Sequence, residues 1–333
     1  MNKFVRNLLT EWRKLKLPFE NETIIVAVSG GADSLSLTIA LADLRKRKKL
    51  NLSFIVAHFN HNLRGTESDK DAEFVKDLAE KLNFEFAYKI QNPKSKIQNQ
   101  SGNLEQNARN ARYDFFNQVA ATYDAYAILT AHTKNDQAET LLFNLIRGSG
   151  LDGLAGMRPI RNQDDFLLVR PLLNWASREE TESFCIENKF VFCQDSMNED
   201  VKFSRVLIRK EIIPLLKKIN PKIIDSLSQT ANLLQEDAAS LQIDIEKLPE
   251  ILSQSELKEM TKPKRMSVLR AWLKKMRGDL RQLNLKHFES LENLIFSRKS
   301  GRFVELPNYE RVVKKEGKIF FEKSRVEKSC SDN

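Results

Sequence analysis

Ile24-Ile25-Val26-Ala27-Val28-Ser29-Gly30-Gly31-Ala32-Asp33-Ser34 is the stretch on which the fold turns. Its first five residues are apolar and mostly β-branched, the pattern of a buried parallel strand. They run directly into Ser-Gly-Gly, after which Leu35, Leu37, Ile39, Leu41 and Leu44 supply the apolar content of a helix. Glycines at a strand-to-helix turn let the main chain fold tightly, so several N–H groups can point at one anion at the helix N-terminus. Ser29 and Ser34 add hydroxyl donors. Asp33 adds a carboxylate that repels phosphate unless a cation lies between them, which points to a Mg²⁺-bound polyphosphate. No Gly-Lys-Ser/Thr follows, so the loop is not of the Walker type.

Outward from this loop, length and charge set the frame. The 333 residues exceed the usual size of a single domain, and two domains are expected. No apolar run reaches the roughly 18 residues of a bilayer span. Met1–Pro18 is basic and amphipathic but lacks the apolar core and cleavage site of a signal peptide, so no membrane partner is expected. The three cysteines, Cys185, Cys193 and Cys330, are scattered, which fits a reducing cytoplasm and gives neither a disulfide framework nor a CxxC metal site. Residues 1–200 carry 26 Lys/Arg against 27 Asp/Glu, and residues 201–333 carry 28 against 18. The basic excess therefore lies away from the glycine loop, as expected for a near-neutral nucleotide domain joined to a module that binds nucleic acid.

Along the chain, apolar strands alternate with amphipathic helices. Strands are expected at Leu52–Ala57, Phe84–Ile90, Ala125–Ala131 and Phe166–Arg170, with helices over Thr66–Leu82, Leu104–Tyr123 and Ser177–Asn188. This is a doubly wound α/β domain with a mainly parallel sheet, whose ligands bind beyond the carboxyl ends of the strands. Arg45-Lys46-Arg47-Lys48-Lys49 reads as a solvated helix end that complements the dipole. Residues 92–103 read as a surface loop, Asp195–Asn198 as a turn, and Gly148–Gly156 as a shaped loop or lid. Phe203–Lys217 is expected to be a helix with Arg205 and Arg209 one turn apart. We place the domain boundary at 217/218. Residues 218–333 then form a smaller, basic, mainly helical domain that ends in short strands over Arg302–Lys323 and serves as an RNA-binding platform.

One further block carries chemistry. After the fourth strand comes His132-Thr133-Lys134-Asn135-Asp136-Gln137-Ala138-Glu139, where helical spacing puts His132, Asp136 and Glu139 on one side. Thr133 with Asp136 three residues on also reads as a capping-box start. Capping leaves His132 and Glu139 unexplained.

Ser29–Ser34 resembles the SGGxDS loop of the N-type ATP pyrophosphatases, which cleave ATP between its α and β phosphates. Further blocks are similar to the tRNA(Ile)-lysidine synthetase family within that superfamily. These are Ala57–Gly65, Glu105 with Ala108-Arg109 and Arg112-Tyr113, Thr130–Thr140, Arg147–Leu154, Arg170–Leu173, and Arg205 with Ile208-Arg209. The C-terminal part resembles the shorter form of that family. Thr133 stands where many members have a second histidine, and Val206 where asparagine is common. The resemblance implies a carbon–nitrogen ligase in which ATP adenylates the wobble cytidine of a CAU-anticodon isoleucine tRNA and L-lysine then displaces AMP. It implies nucleotide contacts from Ala27, Ser29, Gly30, Gly31, Ala32, Asp33, Ser34 and His58, and a Mg²⁺ ion on Asp33 and Asp136. It also implies catalytic roles for Asp33, Arg112, His132, Asp136, Glu139 and Arg205, with a homodimer compatible. A thiolase of the same superfamily would need cysteine chemistry, commonly a CxxC pair that this chain lacks. A ligase for small molecules would not need the basic module.

Overall fold

The computed structural model describes residues 1–60, 66–90, 104–163, 166–192, 204–240, 243, 245–280 and 282–323, with side chains described except at 66–69, 104–109 and 204. The expected loop at 92–103, the turn at Asp195–Asn198, Arg64 and the side chain of Arg109 lie outside the described residues.

Helix α1 (Lys3–Lys14) precedes β1 (Glu20–Ala27), α2 (Ala32–Lys46), β2 (Asn51–Asn60), α3 (Thr66–Lys81), β3 (Glu85–Ile90), α4 (Leu104–Thr122), β4 (Ala127–Leu129) and α5 (Lys134–Ile146). A short α6 (Leu151–Leu154), β5 (Ile160–Asn162), β6 (Leu167–Val169) and α7 (Arg178–Glu187) follow. The sheet order is β3-β2-β1-β4-β6-β5, parallel except for the edge strand β5. The chain winds outward from β1 through β2 to β3, then returns to β4 on the other side of β1. The strand order therefore reverses between β1 and β4, which opens a crevice at their carboxyl ends.

Strand β1 shows why the sheet is central. Ile24 and Val26 pack on one face with α1, α2 and α7, while Ile25 packs on the other with Phe115, Phe116 and Val119 of α4. Helix α2 is buried on most of its surface, so its apolar residues do not trace a single stripe. Arg45 corrects the reading of a wholly solvated helix end. Its guanidinium donates to the carbonyls of Leu82 and Asn83 at 2.7 and 2.9 Å and lies 4.4 Å from the Phe84 ring.

The segment Gly148–Gly156 is tied down rather than hinged as a lid. The Gln137 amide bonds Met157 in both directions, Asn144 donates to the Gly153 carbonyl, and Gln235 donates to the carbonyls of Ala155 and Met157. Gly156 has φ +67°, and a Cβ there would meet the Gln137 amide oxygen at 2.7 Å. Residues 204–219 depart from a single α-helix. Helix α8 (Ser204–Leu207) passes through a π-helical turn (Ile208–Ile212) into α9 (Ile213–Ile219). Pro214 has no N–H to give the carbonyl four residues earlier, and the ladder widens there.

Helix α10 (Ile223–Ser240) closes the first compact unit, Met1–Glu236, and begins the second, Asp237–Asn333. The packing division thus falls later than 217/218. Ile224 is buried with Ala138, Leu142, Ile208 and Ile213, so the first turns of α10 belong to the first unit. The second unit contains β7 (Leu252–Ser253), α11 (Gln254–Glu259), α12 (Lys262–Arg277), α13 (Leu285–Phe296), β8 (Arg302–Leu306), β9 (Glu310–Lys315) and β10 (Lys318–Lys323). Its antiparallel sheet runs β7-β10-β9-β8. Trp272 is fully buried and donates to the Glu250 carbonyl at 3.0 Å. Arg265 pairs with Glu292, and Arg277 with Glu310, all poorly exposed to water. No helix among the described residues is long and apolar enough to cross a membrane.

Cys185 on α7 is buried, and its thiol donates to the Ala32 carbonyl at 3.4 Å. Burial, and then the charges of Asp33 and Glu182, push it up to about 12. In a Cys193→Ser/Cys330→Ser background, alkylation at pH 8 should be about a thousandfold slower than for an ordinary thiol. It should become fast in denaturant; rapid alkylation of the folded chain would contradict this packing.

Candidate active site at the carboxyl end of the sheet

The turn after β1 is closed by its own hydroxyls. Gly30 has φ +94°, a conformation in which a side chain is strained. The Ser29 N–H donates to Ser34 Oγ at 3.2 Å, and Ser34 Oγ donates to the Gly31 carbonyl at 3.0 Å. Gly31 caps α2 without a side chain, so the N–H groups of the first turn, through Ala32 and Asp33, remain for an anion. His58, near the end of β2, is buried and close by. Its Nδ1 lies 2.8 Å from the Val28 carbonyl and must carry the proton, and its ring stacks on Tyr88. Burial lowers its pKa despite that hydrogen bond, so the ring is held neutral. Ala27 ends β1 beside this loop.

Asp33 points from the first turn of α2 toward α7. Thr181 Oγ1 donates to its Oδ1 at 2.5 Å, and Arg178 Nε lies 3.9 Å from Oδ2. Asp136 arrives from α5. Its Oδ2 accepts from the Thr133 N–H at 2.7 Å and the Thr133 hydroxyl at 3.0 Å, so the expected capping role is present. Its Oδ1 is 3.6 Å from Arg178 Nη2, leaving one oxygen turned toward the site. Glu139, one turn further, is 3% exposed. Arg209 grips it with two hydrogen bonds of 2.7 and 2.9 Å, and Arg178 Nη1 stands 3.7 Å away. Three carboxylates from two elements therefore share Arg178.

The carboxyls are driven apart in acidity. Burial, followed by the charge of Asp136, raises Asp33 to about 6, against the opposing pull of Thr181 and Arg178. For Asp136 burial acts upward, but His132, Arg178 and the bonds from Thr133 outweigh it and hold the group below its ordinary value. His132 sits in the loop before α5 rather than on the helix, with Nδ1 3.0 Å from Thr130 Oγ1. It still reaches the cluster, because its charge acts on Asp136.

Two expected residues are exposed to solvent. Arg205 is exposed and lies 5.7 Å from the Phe143 ring, so the guanidinium at Glu139 is that of Arg209. Arg205 lies in α8 and Arg209 within the π-helical turn that follows it. Arg112 is exposed on α4. Sequence reasoning missed Arg178 and Thr181. The overlooked signal was a cation just inside a helix N-terminus, where it opposes the helix dipole unless carboxylates face it. A cavity of about 210 Å³ opens against Glu139, lined by Arg178, Glu179, Glu182, Arg209 and Lys217 among others.

Among known proteins, the PP-loop domain family matches residues 2–216, and the TilS substrate binding domain family matches residues 252–320. The tRNA(Ile)-lysidine synthase of Geobacter sulfurreducens is 34% identical over 311 residues, 90% of this chain and 65% of that protein. That of Clostridium tetani is 30% identical over 328 residues, covering 95% of this chain and 68% of the relative. That of Symbiobacterium thermophilum is 41% identical over 217 residues, 65% of this chain and 44% of the relative. The chain thus spans less than two thirds of two of these three relatives. A solved U34-tRNA thiolase, NcsA from Methanococcus maripaludis with its [4Fe-4S] cluster, superposes with a TM-score of 0.58 at 17% identity, over 70% of this chain and 79% of that one. At that identity the likeness is one of fold.

Because the folded Asp33 is raised above its unfolded value of 3.8, its ionisation destabilises the fold as pH climbs through 6. Asp33→Asn should therefore stabilise the chain by about 2–3 kcal/mol at pH 8 and by almost nothing at about pH 3, below the unfolded value. Thermal midpoints at the two pH values check it; an equal difference at both would contradict the burial.

Proposed function

The chain belongs to the tRNA(Ile)-lysidine synthase family, and we propose that it joins L-lysine to C2 of the wobble cytidine in a CAU-anticodon isoleucine tRNA, using ATP. The observation that carries the reading is the meeting of Asp33, from the glycine loop, with Asp136 and Glu139 around Arg178 beside a charged cavity.

ATP is the nucleotide that a PP-loop domain implies. Its phosphates would meet the Ser29–Ser34 loop and the uncapped N-terminus of α2, with neutral His58 and Ala27 alongside. The donor set suits a hard divalent cation. Asp33 and Asp136 offer two carboxylates, and no group of three or more acidic, His or Cys side chains that could hold a metal occurs among the described residues. Nucleotide oxygens and water would thus complete the coordination. When bound, Mg²⁺ would neutralise charge developing on pyrophosphate as it leaves. In the first step the cytidine oxygen at C2 bonds to the α-phosphorus and pyrophosphate departs. In the second the lysine side-chain amine bonds to C2 and AMP departs.

That amine must lose a proton before it attacks, since a free lysine has a pKa of about 10.4. Both Glu139 oxygens are engaged by Arg209, which suits Glu139 to fixing charge in the cavity. His132, with Nδ1 toward Thr130, and Glu139 are the candidates for binding or deprotonating the amine. The cavity walls carry Glu139, Glu179 and Glu182 together with Arg178, Arg209 and Lys217. A mixture of both signs matches an amino acid with two ammonium groups and one carboxylate. Arg112 and Arg205, exposed on their helices, are suited to RNA phosphates. The second unit, with 21 Lys/Arg against 15 Asp/Glu over 237–333, would hold the body of the tRNA.

Labelled lysine, ATP and Mg²⁺ with a transcript of the CAU-anticodon isoleucine tRNA should give labelled RNA, and an initiator-methionine tRNA should not. Asp33→Asn should abolish the label. AMP release with no lysine in the RNA would overturn the substrate assignment while leaving the nucleotide loop in place. Glu182→Gln should raise the KM for lysine about tenfold, the loss of one charge-assisted contact, and leave pyrophosphate release in the first step unchanged. Equal effects on both steps would remove Glu182 from the lysine cavity.

A further inference from the structure

Three features on the sheet of the second unit each cost stability and gather on one hairpin system. First, β8 and β9 are joined by Pro307-Asn308-Tyr309, in which Asn308 and Tyr309 have φ +68° and +58°. Asparagine tolerates that region, whereas a bulky side chain there is strained and glycine is the natural occupant. Tyr309 nevertheless projects its ring into water, 75% exposed. Second, Lys315 and Lys318 lie directly opposite each other on β9 and β10. Like charges in facing positions repel. Third, an apolar row crosses the outer face of the sheet. Phe303 pairs with Val313, and Val313 with Phe320. Phe303 is 51% exposed, while Val312 and Ile319 beside this row point inward and are buried in the core under α12 and α13.

A fold gains nothing from a strained, exposed tyrosine, a half-exposed phenylalanine or two lysines set face to face. RNA supplies what each lacks: bases for the rings and phosphate for the lysines. Arg311 supports the assignment, since its guanidinium lies 5.7 Å from the Phe303 ring while pairing with Glu322. Strand alternation puts Phe303 and Phe320 on the same face as Lys315 and Lys318. Tyr309 stands roughly 10 Å further along the hairpin, at about 3.4 Å per residue.

We propose that this outer sheet face is a stacking platform for unpaired nucleotides of the substrate RNA, with Tyr309 at its tip and Lys315 and Lys318 as its phosphate clamp. The proposal rests on the tRNA reading above and adds to it a surface and a mode of contact.

The decisive variant is Tyr309→Gly in the full chain. Glycine relieves the backbone, so the thermal midpoint should hold or rise. Affinity for the isoleucine tRNA transcript should fall roughly five- to 150-fold, the range for removing an aromatic from a base. Phe303→Ala should weaken binding in the same range. Lys315→Gln/Lys318→Gln should make log Kd depend less steeply on log salt, by about one to two in slope. If Tyr309→Gly binds the transcript as tightly as the natural chain, the platform is wrong, whatever its stability. Unchanged RNA affinity with a shift in oligomeric state for Phe303→Ala would assign the face to a protein contact instead. A natural chain that binds neither this tRNA nor unpaired RNA would overturn the tRNA reading and the platform together. Binding retained by the natural chain and by every variant would overturn the platform alone.

Discussion

The middle of strand β1, Ile24 to Val26, is buried on both faces, and the placing of the chemistry follows from that constraint. Ile24, Ile25 and Val26 are fully buried between two helical layers. A stretch so enclosed tolerates no charge; the strand's own Glu20 and Glu22 lie at its more exposed start. The first position at which this part of the chain can offer polar groups to a ligand is the turn at its carboxyl end, where Ser29 to Ser34 lie. The same holds for β4, whose Ala127, Ile128 and Leu129 are fully buried before Thr130 and His132 emerge. Since β1 and β4 flank the point where strand order reverses, the two polar turns face one crevice.

Charge balance in that crevice is of two kinds. Arg209 commits to Glu139 with two short hydrogen bonds, the arrangement that makes a buried carboxylate tolerable. Arg178 commits to no single partner and stands 3.6–3.9 Å from three carboxylates, beyond hydrogen-bond length. It damps their mutual repulsion without saturating their lone pairs. Asp33 remains the least comfortable of the three as an anion, its pKa pushed up by burial and by the charge of Asp136.

Much of this was legible in the sequence, for identifiable reasons. β-branched runs ending in glycine or histidine located β1 and β4, and the three-residue spacing of Thr133 and Asp136 located the start of α5. The cluster of Asp33, His132, Asp136 and Glu139 was legible because each lies within a few residues of a strand end. Arg178 was not, since it reaches the site from a helix 145 residues beyond Asp33 whose local pattern speaks only of capping. The preference for Arg205 over Arg209 could not be resolved by counting residues per turn. Arg205 precedes the π-helical turn and Arg209 lies within it, where the count of residues per α-helical turn no longer applies. Likewise, the boundary near 217 followed the change in composition, whereas the packing follows Ile224 and its neighbours. Strand β5, three residues long, is too short to leave a pattern.

The buried ion pairs of the second unit have a practical bearing on its handling. Arg265–Glu292 and Arg277–Glu310 are shielded from solvent, so mobile ions barely reach them. Lysines such as Lys315 and Lys318 lie in water and feel ionic strength fully. Concentrated salt should therefore screen these lysines without loosening the unit's internal electrostatics. The two sets of charges answer to different solvents: one to the electrolyte, the other to the protein's own interior.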